Sequence, residues 1–255
     1  MMNKIAVIYF SGTGNTKFIA KNIKNKLQEY GYESDLINIE KDKINPNDYK
    51  FLIIGAPVYV DRYPEILLKY MEKYLKDYKG KCMLFTTQAS FKDSTSFQHC
   101  INRMPNLNIT YCTFFTMPNN FYNFMFKKTP KDEEKRRIKE AINLSSQALE
   151  EFLSGKEKIY HTNFLKVCFA RAVYKIFYPH MAKRLTKNIE IDLNKCIHCR
   201  ICEIKCPRKS INLSNKVSFN DKCLLCQRCM NSCPRNAFLY KNKVYDKYEP
   251  NFKKS

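Results

Sequence analysis

Lys4-Ile5-Ala6-Val7-Ile8-Tyr9-Phe10-Ser11-Gly12-Thr13-Gly14-Asn15-Thr16 decides the architecture of the first 155 residues. The run 5–10 is apolar without a polar break, as a strand covered on both faces requires. It enters a turn with two glycines and three hydroxyls, and then a stretch of helical period over about 15–30. Outward from this unit the pattern repeats. Further strands are expected over 33–39, 51–56, 82–86 and 109–116, with helices near 64–76, 94–104 and 131–153. Pro64 suits the first position of its helix, and Gly155 suits the position just past the end of the last one. Five strands interleaved with helices define an α/β fold with a doubly wound, five-stranded parallel sheet.

The turn itself has chemistry. Backbone N–H groups at a helix N-terminus face an anion, the glycines let it approach, and the hydroxyls of Ser11, Thr13 and Thr16 add donors. It is no P-loop, because no Gly-Lys-Ser/Thr follows, and no dinucleotide fingerprint, because Lys17 stands where the third glycine would fall. A loop rich in hydroxyls without a fixed cation suits a single phosphate monoester.

The C-terminal region carries a second signal. Lys195-Cys196-Ile197-His198-Cys199-Arg200-Ile201-Cys202 with Cys206-Pro207 aligns on Lys222-Cys223-Leu224-Leu225-Cys226-Gln227-Arg228-Cys229 with Cys233-Pro234, at a constant offset of 27 residues. The spacing is C-x₂-C-x₂-C-x₃-C-P, twice, in which the fourth cysteine of each run ligates the other cluster. Cys196, Cys199, Cys202 and Cys233 are therefore expected to hold one [4Fe–4S] cluster, and Cys206, Cys223, Cys226 and Cys229 the second. A zinc ribbon would lack the third cysteine in register. Cys82, Cys100, Cys112 and Cys168 have no spacing partner and read as small buried hydrophobes. His198 reads as a surface residue between ligands, and His99 and His161 as isolated surface residues.

Residues from about 188 to 245 resemble a bacterial-type 2[4Fe–4S] ferredoxin domain, and residues 1–155 resemble a flavodoxin. The hexapeptide Ser11, Gly12, Thr13, Gly14, Asn15, Thr16 is similar to the flavodoxin phosphate loop. The resemblance implies FMN, with its phosphate on Ser11 to Thr16. It assigns Pro57, Val58 and Tyr59 to one face of the isoalloxazine, Tyr59 as the stacking aromatic, and Thr87, Gln88, Ala89, Ser90 and Phe91 to the other side. The chain departs from the ferredoxin pattern at Arg200 and Gln227, where such domains usually carry glycine. The whole order resembles flavodoxin–ferredoxin fusion proteins of anaerobes: a flavodoxin-like domain over 1–155, a basic amphipathic linker helix over 156–187 ended by Pro179, and a small α+β 2[4Fe–4S] domain over 188–255.

The chain of 255 residues has a formal net charge of +21. Residues 1–155 contribute a balance of +6 and residues 156–255 a balance of +15. A basic tail favours an acidic protein redox partner, and the helix over 160–186 is a candidate peripheral membrane contact. No nicotinamide fingerprint and no nucleic-acid motif accompany it. With no secretory signal or membrane span in the sequence and cysteines in metal-type spacing, a cytoplasmic protein is expected. Electron transport between the clusters and FMN, from a low-potential protein donor to an acceptor, is the leading expectation. The alternatives are an FMN-dependent reductase of a small molecule, with the aromatic insert at 117–130 as packing element or lid, and a redox-sensing binder of nucleic acid or membrane.

Overall fold

The computed structural model describes residues 3–90 and 95–252. The chain forms two compact units. One comprises 1–118, 130–170 and 251–255, the other 119–129 and 171–250.

The first unit is built on β1 (Lys4–Tyr9), β2 (Glu33–Asn38), β3 (Phe51–Pro57), β4 (Lys81–Gln88) and β5 (Asn108–Thr116), all parallel, in the order β2-β1-β3-β4-β5. Their apolar runs are continuous because helices cover both faces. On one face α1 (Asn15–Glu29) and α4 (Lys131–Leu153) bury Ile19, Ile23, Leu27, Ile138, Leu149 and Phe152 against Ile5, Val7, Ile53 and Phe115. Alternate strand residues such as Ile8, Ile54 and Leu84 are equally buried and point to the opposite face. The helices α2 (Glu65–Tyr74) and α3 (Ser96–Arg103) contribute buried Leu67, Leu68, Met71, Phe97 and Cys100.

Arg103 ties these two helices. Its guanidinium donates to both carboxylate oxygens of Glu65 at 2.8 Å and to Glu72 at 2.6 Å. Glycine is needed at Gly55 for a spatial reason, since a Cβ there would lie 2.0 Å from the Phe85 ring.

The expected strands and helices of this unit are present with ends displaced by a residue or two. Pro64 is the N-cap of α2 rather than its first helical residue. Gly155, at φ 87°, follows the Ser154 C-cap of α4.

The helix expected to stop at Pro179 instead runs through it as α5 (Phe164–Thr186). Val167, Tyr178, Ala182 and Leu185 are buried on one side, and the burial of the last two carries the helix past the proline. Leu165, Phe169 and Ile176 are exposed on the other, so the helix is apolar on two sides rather than simply amphipathic. The division between the compact units falls within it, after Ala170.

The second unit holds β6 (Ile189–Ile191), β7 (Ile211–Leu213), β8 (Val217–Phe219), β9 (Phe238–Tyr240) and β10 (Lys243–Val244), with one-turn helices α6 (Ile201–Ile204) and α7 (Arg228–Asn231). β10-β9-β6 form one antiparallel sheet and β7-β8 a hairpin. The insert 119–129 belongs here: Tyr122 Oη donates to the Lys247 carbonyl at 3.0 Å, Asn123 exchanges two hydrogen bonds with Asp246, and the Phe124 ring meets that of Tyr240 edge-on at 4.7 Å. It packs within this unit. Among the described residues, no helix is long and apolar enough to cross a membrane.

Candidate redox sites

In the first unit the strand order reverses at β1 and β3. β2 lies on one side of β1, and the chain then crosses to β3 on the other. The crevice outside the carboxyl ends of the strands at such a point is where doubly wound sheets bind ligands. Both the loop 10–14 and the segment 57–59 emerge there.

Gly14, at φ 117°, is the N-cap of α1 and gives it no side-chain cap, and the first helical turn contains no acidic residue. Its N–H donates to Ser11 Oγ at 3.2 Å, and its carbonyl accepts from Phe18 N–H. This is a turn whose backbone donors and positive helix end suit an anion, and it fits a phosphate monoester.

Thr16 is placed differently from the other hydroxyls. It is 1% exposed and shares a 2.7 Å hydrogen bond with Thr87 Oγ1, joining the loop after β1 to the end of β4. Val58 N–H donates to the Thr87 carbonyl at 3.3 Å, so three of the segments assigned to the flavin are brought together. Thr87 and Gln88 lie within β4; Ala89 and Ser90 follow it, and Phe91 is outside the described residues.

Tyr59 opens a two-residue turn closed by mutual backbone hydrogen bonds with Arg62, with Val60 at φ 49° and Asp61 at φ 57°. Positive φ at both central residues is the I′ geometry, and a β-branched residue there is strained. Tyr59 is half-buried at the rim of the crevice.

Two contacts here were invisible in the local sequence. Asn15 Nδ2 donates to the Pro118 carbonyl at 3.2 Å, and Phe252 stacks on Phe18 at 4.3 Å with its edge against Gly14. Spacing carries no sign of either, because the partners are more than a hundred residues apart. His99, expected at the surface, is buried at 9% exposure and hydrogen-bonded through Nε2 to the Arg62 guanidinium.

The second unit brings the eight cysteines to the walls of two small cavities. Cys196, Cys199, Cys202 and Cys233 line the first, with Ile191, Leu213 and Phe238. Cys206, Cys223, Cys226 and Cys229 line the second, with Phe124, Ile189 and Met230. Each cavity thus takes three cysteines from one motif and the fourth from the other. Among the described residues no group of three or more His, Cys, Asp or Glu converges on a single ion. Four thiols spread over an apolar cavity fit a cubane instead.

The backbone repeats as the sequence does. His198 and Leu225 are both at φ 50°, Arg200 and Gln227 at 54° and 60°, and Lys209 and Asn236 at 48°. These left-handed residues help turn N–H groups toward sulfur: Ser210 N–H donates to Cys206 Sγ at 3.2 Å, and Ala237 N–H to Cys233 Sγ at 3.3 Å. Such bonds stabilise thiolates and cluster ligands.

Burial pushes the Cys202 thiol up to about 11, the Cys226 thiol up to about 12 and the Cys229 thiol well above its ordinary value, whereas Cys199 is exposed. Of the unpaired cysteines, Cys82, Cys100 and Cys112 are buried as expected, and burial raises all three thiols. Cys168 is exposed, because it lies on the outward side of α5.

Comparison with known proteins assigns both halves. Residues 6–105 match the flavodoxin domain family. Residues 121–218 match the 4Fe–4S family of electron transfer flavoprotein–ubiquinone oxidoreductase, and 220–241 match a 4Fe–4S binding domain. Among solved structures, a flavodoxin from the domain Archaea is 16% identical over 58% of this chain and 97% of its own, with a TM-score of 0.41. Oxidised flavodoxin 1 from Bacillus cereus is 19% identical over 60% of this chain and 98% of its own, with a TM-score of 0.43. Two-electron-reduced Megasphaera elsdenii flavodoxin is 16% identical over 56% and 99%, with a TM-score of 0.39. No curated protein sequence matches the chain.

The chain is an electron-transfer flavoprotein and iron–sulfur protein in class. It joins a flavodoxin domain, whose cofactor is FMN, to a 4Fe–4S ferredoxin-type region, and its function implies a protein redox partner.

Proposed function

We propose that this protein passes single electrons between two [4Fe–4S] clusters and FMN within one chain, linking a low-potential protein donor to an acceptor. The observation that carries the reading is the division of eight cysteines into two four-cysteine cavities in the chain that also holds the phosphate-type loop Ser11 to Thr16.

When bound, the clusters exchange one electron at a time, and the flavin one or two. The residues have separate tasks. Cys196, Cys199, Cys202 and Cys233 would hold one cluster, and Cys206, Cys223, Cys226 and Cys229 the other. Ser11, Gly12, Thr13, Gly14 and Asn15 would receive the FMN phosphate, with Thr16 bracing the loop on Thr87. Pro57, Val58 and Tyr59 would flank one side of the ring system, and Thr87, Gln88, Ala89 and Ser90 the other. Exposure of Cys199 makes the first cluster the entry point for a partner's electron, and the balance of +15 over 156–255 favours an acidic partner. A peripheral contact of 160–186 with an anionic membrane draws on the same charge.

An anaerobic redox titration followed by UV–visible and EPR spectroscopy tests the reading. It should show one FMN and about eight irons per chain, in two titrating clusters. A chain that binds FMN with a single cluster, or none, would refute it.

A further inference from the structure

The two cysteine motifs differ, among other places, at the position after the second cysteine. In the first motif it is Arg200, which also lines its cavity but whose side chain is 71% exposed and pairs with Glu203 at 3.8 Å. In the second it is Gln227, which is 3% exposed and lines the cavity of Cys206, Cys223, Cys226 and Cys229. Both residues sit at left-handed φ, where glycine would cost least. A buried glutamine held there calls for a compensating interaction.

A hydrogen-bond chain fixes which way its amide points. Tyr248 N–H donates to Asn231 at 2.7 Å, so that atom must be the acceptor Oδ1. Asn231 Nδ2 is left to donate to the Gln227 carbonyl at 2.8 Å and to Tyr245 Oη at 3.1 Å. With a donor already supplied to its oxygen, the Tyr245 hydroxyl directs its own proton to Gln227 Oε1, at 2.7 Å. Tyr245 is fully buried and does not line the cavity. The bonded edge of the amide therefore faces away from the cavity, and Nε2 is the edge left toward it. Every other buried polar group of the chain of bonds is satisfied internally, which leaves two N–H donors at the end of a rigid relay.

We propose that Gln227 Nε2–H donates a hydrogen bond to a sulfur of the second cluster, and that Asn231 and Tyr245 are positioning residues that hold the amide in that orientation. The inference rests on the assignment of a [4Fe–4S] cluster to that cavity. A donor beside a sulfur stabilises the more negative, reduced state, and so raises the potential of that cluster. The exposed Arg200 gives the first cluster no equivalent buried donor. The two clusters are thereby set apart by a side chain rather than by their ligands.

The test uses the fully loaded wild-type chain, grown with glutamine labelled with ¹⁵N in the side chain only. Gln28, Gln88, Gln98 and Gln147 belong to the first unit, so Gln227 is the sole glutamine of the second. Pulsed EPR of the reduced protein should show ¹⁵N coupled to one cluster, and the coupling should vanish in Gln227→Leu. In that variant the oxidised-to-reduced ratio of the same cluster at fixed ambient potential should rise about tenfold, equivalent to ~59 mV downward, with the other cluster unmoved. Both cluster signals without any glutamine coupling in the wild type would overturn the inference alone. Loss of the second cluster signal from the wild-type chain would overturn the cluster assignment with it.

Discussion

Arg200 and Gln227 show how much one residue's surroundings decide. Each occupies the left-handed region, which costs a residue with a Cβ about 1 kcal/mol. Arg200 is exposed and recovers little, since a partly screened pair with Glu203 is worth well under that. Arg200→Gly should therefore slow loss of cluster absorbance from the loaded protein in guanidinium, corresponding to about 0.5–1 kcal/mol of added stability. Gln227→Gly should do the opposite. It strips a buried tyrosine hydroxyl of its acceptor, at about 1–3 kcal/mol, which outweighs the relief of backbone strain. Equal effects of the two substitutions would contradict this account. The grouping of the cysteines into two cavities was legible in the sequence because a cubane imposes fixed cysteine spacing. The Tyr248–Asn231–Tyr245–Gln227 chain was not, because its members meet across 14 to 18 positions through tertiary folding. His99 misled for the same reason. Isolated in sequence, it is covered in the fold by Arg62.

The elements of the first unit follow from pattern. Continuous apolar runs predicted the five strands, and the ends drifted only where caps and turns compete. Pro179 is the instructive exception. A proline inside a helix removes a donor and usually ends it, but burial of Ala182 and Leu185 carries α5 onward to Thr186. The small strands of the second unit, two or three residues each, are too short to show a period.

Between elements, the pairing of α2 with α3 through Arg103 yields a pH-dependent prediction. Burial alone would raise the Glu65 carboxyl, but its hydrogen bonds to the Arg103 guanidinium outweigh this and hold it below the ordinary glutamate value. A depressed folded-state value contributes stability above the unfolded value, and that contribution is lost as pH falls through the folded one. Arg103→Met should thus destabilise the first unit by about 1–2 kcal/mol at neutral pH, reduced from a buried pair's worth by partial exposure. Below about pH 4 the difference from wild type should fade, as read by denaturant midpoints across pH. A penalty independent of pH would mean that Arg103 acts by packing alone.

At the scale of the whole molecule, the crossing of the fourth cysteines is the feature with the widest consequence. Cys206 follows the first motif in sequence but lines the cavity of the second, and Cys233 does the reverse. Cys206→Ser should accordingly alter the EPR signal of the cluster held by Cys223, Cys226 and Cys229, and leave the cluster held by Cys196, Cys199 and Cys202 in place. Perturbation of the latter cluster alone would contradict the crossed arrangement. The insert 119–129 is likewise a property of the whole. Its aromatic composition left packing or a lid open, and the fold shows that Phe124 lines the second cavity and packs on Tyr240.

The central claim, electron exchange between the clusters and FMN inside one chain, is met most directly by anaerobic flash photoreduction of the clusters with flavin absorbance followed in time. The account predicts flavin reduction at a rate independent of protein concentration, as the clusters reoxidise in step. Flavin reduction whose rate scales with protein concentration, or clusters that stay reduced beside an oxidised flavin of higher potential, would contradict it.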